Sequence, residues 1–298
     1  NPMLEDAHAV ECNNGTSHRH TIRTGLPELA WGQLYKGIKQ SKSGKAQVDD
    51  TTGFVEGMSS VDCRLLALSG NAAALRLSEA NAYLEAISQE VQETMIYGNS
   101  NSSPNEFMGI APRFNDLGAP NGKQIIDAGG TGNDNTSIFI VTWGDSSCHT
   151  IYPKGTTAGV KREDMGKQRV NDEDGNPYYV EEEMFTQHIG VAVKDWRYVA
   201  RVANIDVSAL KSGSVDIYKF LRAAYYQHEG RRRSKGKTVI YCNRDVLEAL
   251  DAAGTNSGAS DNFARLTPME IQGKEVMTYR GFPIRETDAI INLEARVV

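Results

Sequence analysis

Residues 135–206 constrain the fold more than any other part of the chain. They hold two β-rich blocks, residues 137–153 (SIFIVTWGDSSCHTIYP) and 178–206 (YYVEEEMFTQHIGVAVKDWRYVARVANID), joined by a long polar connection. Residues 137–143 are a nearly continuous apolar run of strand composition, and 148–152 resume after a turn at 144–147, which predicts a hairpin. Asp174 and Gly175 are the strongest turn signal of the chain and predict a second hairpin between 167–170 and 178–183. Residues 190–205 read as one further long strand carrying Arg197 and Arg201.

The clearest helix covers residues 71–97. Leu77, Ala80, Leu84, Ile87, Val91 and Met95 recur at spacings of three and four opposite Glu79, Glu85, Gln89 and Glu93, and Gly98 is placed as the stop. At 1.5 Å per residue such a helix is about 40 Å long, enough to act as a spine for a sheet. Ser214 is the expected cap of a helix through Gln227, ended by Gly230. A basic loop at 231–237 then leads to a strand at 238–242. Asn243 is the expected cap of a helix over 245–253, ended by Gly254, and a polar loop follows at 254–262. Short strands at 275–279, 281–285 and 289–291 complete an α+β or α/β unit.

Before the spine, residues 18–26 and 45–55 alternate as strands, while 1–17 read as an extended terminal arm with one short helical turn. Between the two strands, residues 27–44 expose a difficulty. Trp31, Leu34, Tyr35 and Ile38 sit among glycines and the lysines Lys36, Lys39 and Lys42, with no pattern that could bury them locally. A two-stranded arm of this kind is marginal alone, so its apolar partner is expected on another subunit. Residues 109–132, rich in Gly, Pro, Asn and Asp, read as a surface connection.

A net charge of -6 argues against a dedicated nucleic-acid binder, though not against a protein that merely encloses DNA. The four cysteines lie far apart with no CxxC pair, so neither a zinc site nor a disulfide framework is legible, and reduced thiols made in a cytoplasm are expected. No apolar run reaches the roughly 18 residues needed to cross a bilayer. The chain starts at Asn1 without an initiator Met, so a preceding stretch, cleaved or otherwise missing, is expected.

Catalytic, metal and cofactor motifs fail on context. Gly129, Gly130 and Gly132 suggest a phosphate loop, but no Lys-Ser or Lys-Thr follows and no helix begins there. Residues 172–176 have Gly at the wrong offset for a calcium loop. His18 and His20 share a strand face without a third ligand, and Ser146 and Ser147 lack a nucleophile elbow. The one strong basic run is Arg231, Arg232 and Arg233 with Lys235 and Lys237. Pairing with acidic patches of another subunit, such as Glu181 to Glu183, stands level with a solvated loop, and DNA contact ranks third.

Several segments together resemble the major capsid proteins of tailed double-stranded DNA bacteriophages, in the short-tailed, podovirus-like branch with the HK97-type fold. They are HRHTIRTGLPELAWGQL (18–34), RLSEANAYLEAISQEVQETMIYGN (76–99), EFMGIAPRFND (106–116), IIDAGGTGNDNTSIFIVTWG (125–144), IYPKGTTAGV (151–160) and DWRYVARVANID (195–206). The resemblance implies an α+β capsid fold with an N-terminal arm (1–17), an E-loop (18–58), a P-domain spine helix (59–112), a connecting loop (113–135), P-domain sheet strands (136–206) and an A-domain (207–298). Because the sheet block precedes the helix–strand–helix unit, a permuted strand order is expected.

The implied function is self-assembly, in hexamers and pentamers, into the icosahedral head that encloses double-stranded DNA without reading its sequence. The implied partners are a cement or decoration protein, a scaffolding protein and a portal, with no membrane and no cofactor. The protein is expected in the virion after assembly in the host cytoplasm. Trp31, Tyr35, Lys36, Lys39, Lys42, Arg231, Arg232 and Arg233 are the expected assembly contacts, without a Lys–Asn crosslink. An encapsulin-like compartment is the alternative, and a soluble hydrolase using 129–133 or 172–174 the second.

Overall fold

The computed structural model describes residues 2–255, 266–271 and 274–298. Helix α1 (Pro2–Asp6) and strand β1 (Ala9–Glu11) lead to β2 (Ser17–Arg23), a long excursion, β3 (Lys45–Thr51) and β4 (Gly53–Asp62). Helix α2 (Cys63–Leu68) and the spine α3 (Ala72–Tyr97) follow, then β5 (Ile125–Asp127), β6 (Asn135–Trp143), β7 (Cys148–Tyr152), β8 (Val160–Asn171), β9 (Pro177–Val193) and β10 (Val199–Asp206). The last third holds α4 (Val207–Lys211), α5 (Ile217–Gln227), β11 (Lys237–Cys242), α6 (Arg244–Thr255), β12 (Thr267–Ile271), β13 (Lys274–Tyr279) and β14 (Phe282–Glu286).

Strand β6 explains why residues 138–141 are apolar without a break. It lies between β10 and β11, antiparallel to both. Its side chains alternate between two cores, as a period of two requires. Ile138 and Ile140 join Leu221 of α5 and Val246 and Leu250 of α6 on one face. Phe139, Val141 and Trp143 join Ile87, Val91 and Met95 of α3 on the other. A strand covered on both faces can keep no polar alternation.

The long strand β9 links this centre to the spine. It pairs with β7 at its C-terminal end, and further back with β4 along one edge and β8 along the other. Tyr83 of α3 stacks on Phe185 of β9 with centroids 5.8 Å apart. Gly57 of β4 lies beneath that ring, where a Cβ would sit 3.0 Å from it. Spine α3 is capped as its sequence predicts, by Asn71 accepting from the Ala74 amide and by Gly98 donating to the Thr94 carbonyl. Its apolar stripe does not stay inside, however. Ala80, Ile87, Val91 and Met95 are buried, whereas Leu77 and Leu84 are exposed.

The Asp172–Asn176 turn closes the β8–β9 hairpin as expected, with Gly175 at φ 83°. The Asp172 carboxylate accepts from the amides of Asp174 and Asn176, which is turn chemistry rather than cation binding. Residues 135–206 are no separate inserted domain, since β9 lies against α3 and β6 and β10 build the central sheet. They are not one compact sheet block either.

Several expectations need correction. The pair 137–143 and 148–152 is no hairpin. β6 and β7 meet only at Trp143 and Cys148, in parallel, because β7 continues onto β9 and β1. Residues 190–205 break into β9 and β10 at the turn Trp196–Tyr198, which Asp195 caps. Helix α5 is capped by Asp216 rather than Ser214 and ends at His228 rather than Gly230. Helix α6, capped by Asn243, runs through Gly254. Residues 256–262 of the polar loop lie outside the described residues, and 289–291 form no strand.

The connection 109–132 is not purely superficial. Ile110, Ala111, Phe114 and Ile125 are buried, and β5 pairs parallel with β10. Nor is the N-terminal stretch an extended arm: β1 pairs with β7, and Met3, Asp6 and Cys12 are buried. The Asp6 carboxylate is held there by Lys237, Arg285 and the Tyr241 hydroxyl.

Candidate assembly surface

Strands β2 and β3 form a two-stranded sheet of their own, with seven cross-strand pairs from Ser17↔Thr51 to Arg23↔Lys45. Residues 24–44 form the tip of this arm. Trp31 is 100% exposed, Leu29 93% and Leu34 91%, and Leu26, Tyr35 and Ile38 are also exposed. Few bonds hold the tip: Ser41 donates to the Glu28 carbonyl at 2.7 Å, and Lys39 pairs with Glu28 at 3.2 Å. Tyr35 sits at φ 65°, a region a bulky residue rarely occupies. Six large apolar side chains therefore face water on one segment, a concentration that single subunits seldom leave uncovered.

A second apolar surface lies around the start of the spine. Leu65 and Leu68 of α2 and Leu77 and Leu84 of α3 are exposed. Beside them a cleft of about 430 Å³ runs between α1, α3 and the β7–β9 region, lined by Leu4, Leu84, Ile151, Val160 and Ile189 among others. Sequence periodicity alone could not show that Leu77 and Leu84 face outward, because the same spacing serves a core.

The predicted basic run is brought onto an aromatic surface. The Arg231 guanidinium lies 4.9 Å from the Tyr226 ring centre, and Arg280 lies 5.4 Å from it while donating to the Tyr226 hydroxyl at 2.9 Å. Arg232 and Arg233 are exposed. Lys235 differs, pairing at 3.4 Å with Asp195, which also holds Arg197. Trp31, Tyr35, Lys36 and Lys42 stay on the arm tip with Lys39, so the expected contacts fall into two separate groups, the tip and the arginine run.

Two of the acids expected to pair with that run, Glu181 and Glu183, are already engaged. Glu183 is buried and forks onto Arg162 at 2.7 and 2.9 Å, with Arg76 also against it. Arg76 holds Glu181 and Asp164 as well, each at 2.9 Å. Arg162 first, with Arg76, keeps the Glu183 carboxyl below its usual range. Glu181 and Glu183 therefore lock the β8–β9 hairpin to the spine rather than waiting for another chain.

Nothing at these surfaces resembles a catalytic constellation. Burial pushes the Cys12 thiol up to about 11 and those of Cys148 and Cys242 up to about 12, so none supplies a thiolate near neutrality. Gly129 turns at φ 85°, and a Cβ at Gly130 would meet the Asn204 carbonyl at 2.5 Å, so this stretch packs against β10 and opens no helix N-terminus. Among the described residues no set of three or more His, Cys, Asp or Glu could hold a metal ion, and no helix is long and apolar enough to cross a membrane.

A model of the major capsid protein GP7 family matches residues 1–298. The solved structure of bacteriophage epsilon15 is similar, with 33% identity and a TM-score of 0.75, over 98% of this chain and 88% of that one. The capsid of bacteriophage JBD30 shares the fold at 11% identity and a TM-score of 0.55, over 97% and 90% of the two chains. The same phage's capsid decorated with minor capsid protein trimers aligns at 10% identity and a TM-score of 0.52, over 97% and 90%. Among curated proteins none matches. The exposed arm, the spine, the mixed sheet and these likenesses together place the chain in the GP7 family of major capsid proteins, shell-forming subunits with the HK97-like fold.

Proposed function

We propose that many copies close into the shell through the arm, the tip of one subunit lying over the spine of its neighbour. In this reading β2, β3 and the tip are the E-loop, α3 with β4, β8 and β9 is the P-domain, and the unit around α5, β11 and α6 is the A-domain that meets its copies around the five- and six-fold axes. The observation that carries the proposal is the fully exposed Trp31 among five other exposed apolar side chains. The exposed Leu77 and Leu84 and the cleft beside them offer it an apolar seat. Each contact is modest, but the lattice repeats it, and heterologous contacts with the right curvature close into icosahedral symmetry. Strand β10 with Arg201 comes before the α5–β11–α6 unit in the chain. We read this as a rearranged connectivity of the fold.

The shell encloses double-stranded DNA without sequence readout, is built in the host cytoplasm, and works with a scaffolding protein, a portal and a decoration protein. It has no enzymatic role. Electron microscopy of the expressed protein tests this, together with analysis of the contents of particles from infected cells. Closed shells holding nuclease-protected DNA are expected. Protein cargo in its place would favour the compartment reading, and a small oligomer with no particles would overturn assembly. Boiled in detergent, the particles are expected to run as monomer, and a ladder would reveal crosslinks.

The arginine run pairs with exposed acids of another subunit, for which the outward Glu79, Glu85 and Glu93 of α3 are available. Arg231→Ala with Arg233→Ala is expected to weaken assembly about two- to fivefold per lost pair and to flatten its salt dependence. Identical assembly at every salt concentration would remove the pairing.

A further inference from the structure

Three of the six histidines meet where the arm joins the body. His18 and His20 project from the same face of β2, and β3 places Asp50 directly across from His18. His149 rises from β7 beneath them. The His18 ring centre lies 5.4 Å from that of His149 and 6.2 Å from that of His20. All three rings and Asp50 are buried.

The bonding of this cluster is incomplete. The Nδ1 atoms of His18 and His20 and both ring nitrogens of His149 have no hydrogen-bond partner, nor has Oδ2 of Asp50, 3.6 Å from His20 Nδ1. Further contacts tie the arm to the body here. His20 Nε2 donates to the Val193 carbonyl at 3.2 Å, and Arg113 meets the Asp50 carboxylate at 2.8 Å. Arg113 also donates to the Val191, Met108 and Gly109 carbonyls, so its position is set by the body.

Every charged group around the cluster bears on a proton entering it. Lys194, beyond the end of β9, opposes charge on His18 and His149, as His20 does on both and His18 does on His149. Asp50 and the Glu11 carbonyl favour charge on His18, and Asp145 favours it on His149, but less than burial disfavours it. Burial first, then Lys194 and the neighbouring histidines, push His149 down to about 3 and lower His18 from its ordinary value. Among the described residues no three His, Cys, Asp or Glu side chains are placed to hold a metal ion here.

We propose that His18 and His149 form a proton-operated latch that seats the β2–β3 arm on the body at neutral pH and releases it in acid. The sign follows from the depressed values. An undocked arm frees His18 and His149 to bind protons near their usual 6.5, whereas the docked arm resists them. Docking is therefore constant above about 6.5 and weakens as pH falls below it. For His149 alone the docking equilibrium drops about 30-fold by pH 5.

The latch belongs to the single chain, so it is tested without shells, and its failure leaves the assembly reading untouched. Pulse hydrogen–deuterium exchange on the full chain between pH 8 and 5, corrected for intrinsic exchange, reports protection of residues 17–23 and 45–51 relative to β6. The ratio is expected to stay flat above pH 6.5 and to fall at least tenfold by pH 5. His18→Gln with His149→Gln is expected to flatten that fall. A constant ratio in the wild type, or a fall of the same size in the double variant, overturns the latch. Should the double variant not fold, His149→Gln alone is expected to remove most of the fall, and a fall of wild-type size overturns it equally.

Discussion

Trp31→Ala combined with Tyr35→Ala is expected to leave the folded chain as stable as before and to abolish shells at concentrations where the wild type assembles. Both side chains are fully exposed in the single subunit, so their removal costs the fold nothing measurable. Burying a large apolar side chain contributes about 1.5–3 kcal/mol, and each 1.4 kcal/mol is tenfold in an equilibrium constant. Losing two such anchors from every copy raises the concentration needed for assembly by at least about a hundredfold. Circular dichroism melting should superimpose on the wild type while sedimentation shows only small species. Normal shells from the double variant would show that the tip is not the seat of assembly.

The opposite behaviour is expected of Arg201→Met and Glu294→Ala, which should cripple the fold before any question of assembly arises. Arg201 on β10 is buried and donates to Glu294 at 2.8 Å, to Ser137 at 3.0 Å and to the Phe114 carbonyl at 2.8 Å. Glu294 also takes the hydroxyls of Tyr97 and Ser137 and lies in an isolated bridge with Asn135. One ion pair therefore joins the end of the spine, the central sheet, the 111–114 turn and the C-terminal segment. Burial first, then the Glu294 carboxylate, raises the Tyr97 phenol well above its ordinary range, so it stays a donor. Removing one partner strands the other charge in the core, at about 3–5 kcal/mol. For a chain of this size that is a fall in Tm of roughly 5–8 °C, read by thermal melting. A fall under about 2 °C would mean the pair is solvated and adds little.

These two results separate what assembles from what folds, and the residues concerned differ in how readable they are. Trp31 and Tyr35 were legible because a segment of glycines, lysines and aromatics has no period that could bury them. Arg201 and Glu294 were not, since a lone Arg in a strand and a lone Glu near the C-terminus carry no local signal of pairing across 93 positions. The same holds for the latch. His18 and His20 could be seen to share a face, but the third ring comes from a strand 131 residues away in sequence, His149 against His18.

Errors at element boundaries have a common cause. Ser214 looked like the cap of α5, yet Asp216 stands nearer the first helical amides and accepts from both Tyr218 and Lys219. The apparent hairpin 137–152 failed because strand composition states that two segments are extended, not which neighbour each pairs with. The basic run was matched to Glu181 and Glu183 on charge alone. Only the packing of Arg76 and Arg162 revealed that those acids were spent inside the subunit.

By itself the sequence determined the local states of the chain: the spine and its caps, the apolar β6, the β8–β9 turn and an arm without a core. Each rests on interactions within a few residues, such as periodicity, capping and turn geometry, which a linear reading contains. The tertiary structure alone decided that β6 stands between two cores, that a third of the spine's apolar stripe faces outward, and that three distant histidines close over the root of the arm. Those outcomes depend on which surfaces meet after long loops close, and on burial that strips water from charges set far apart along the chain.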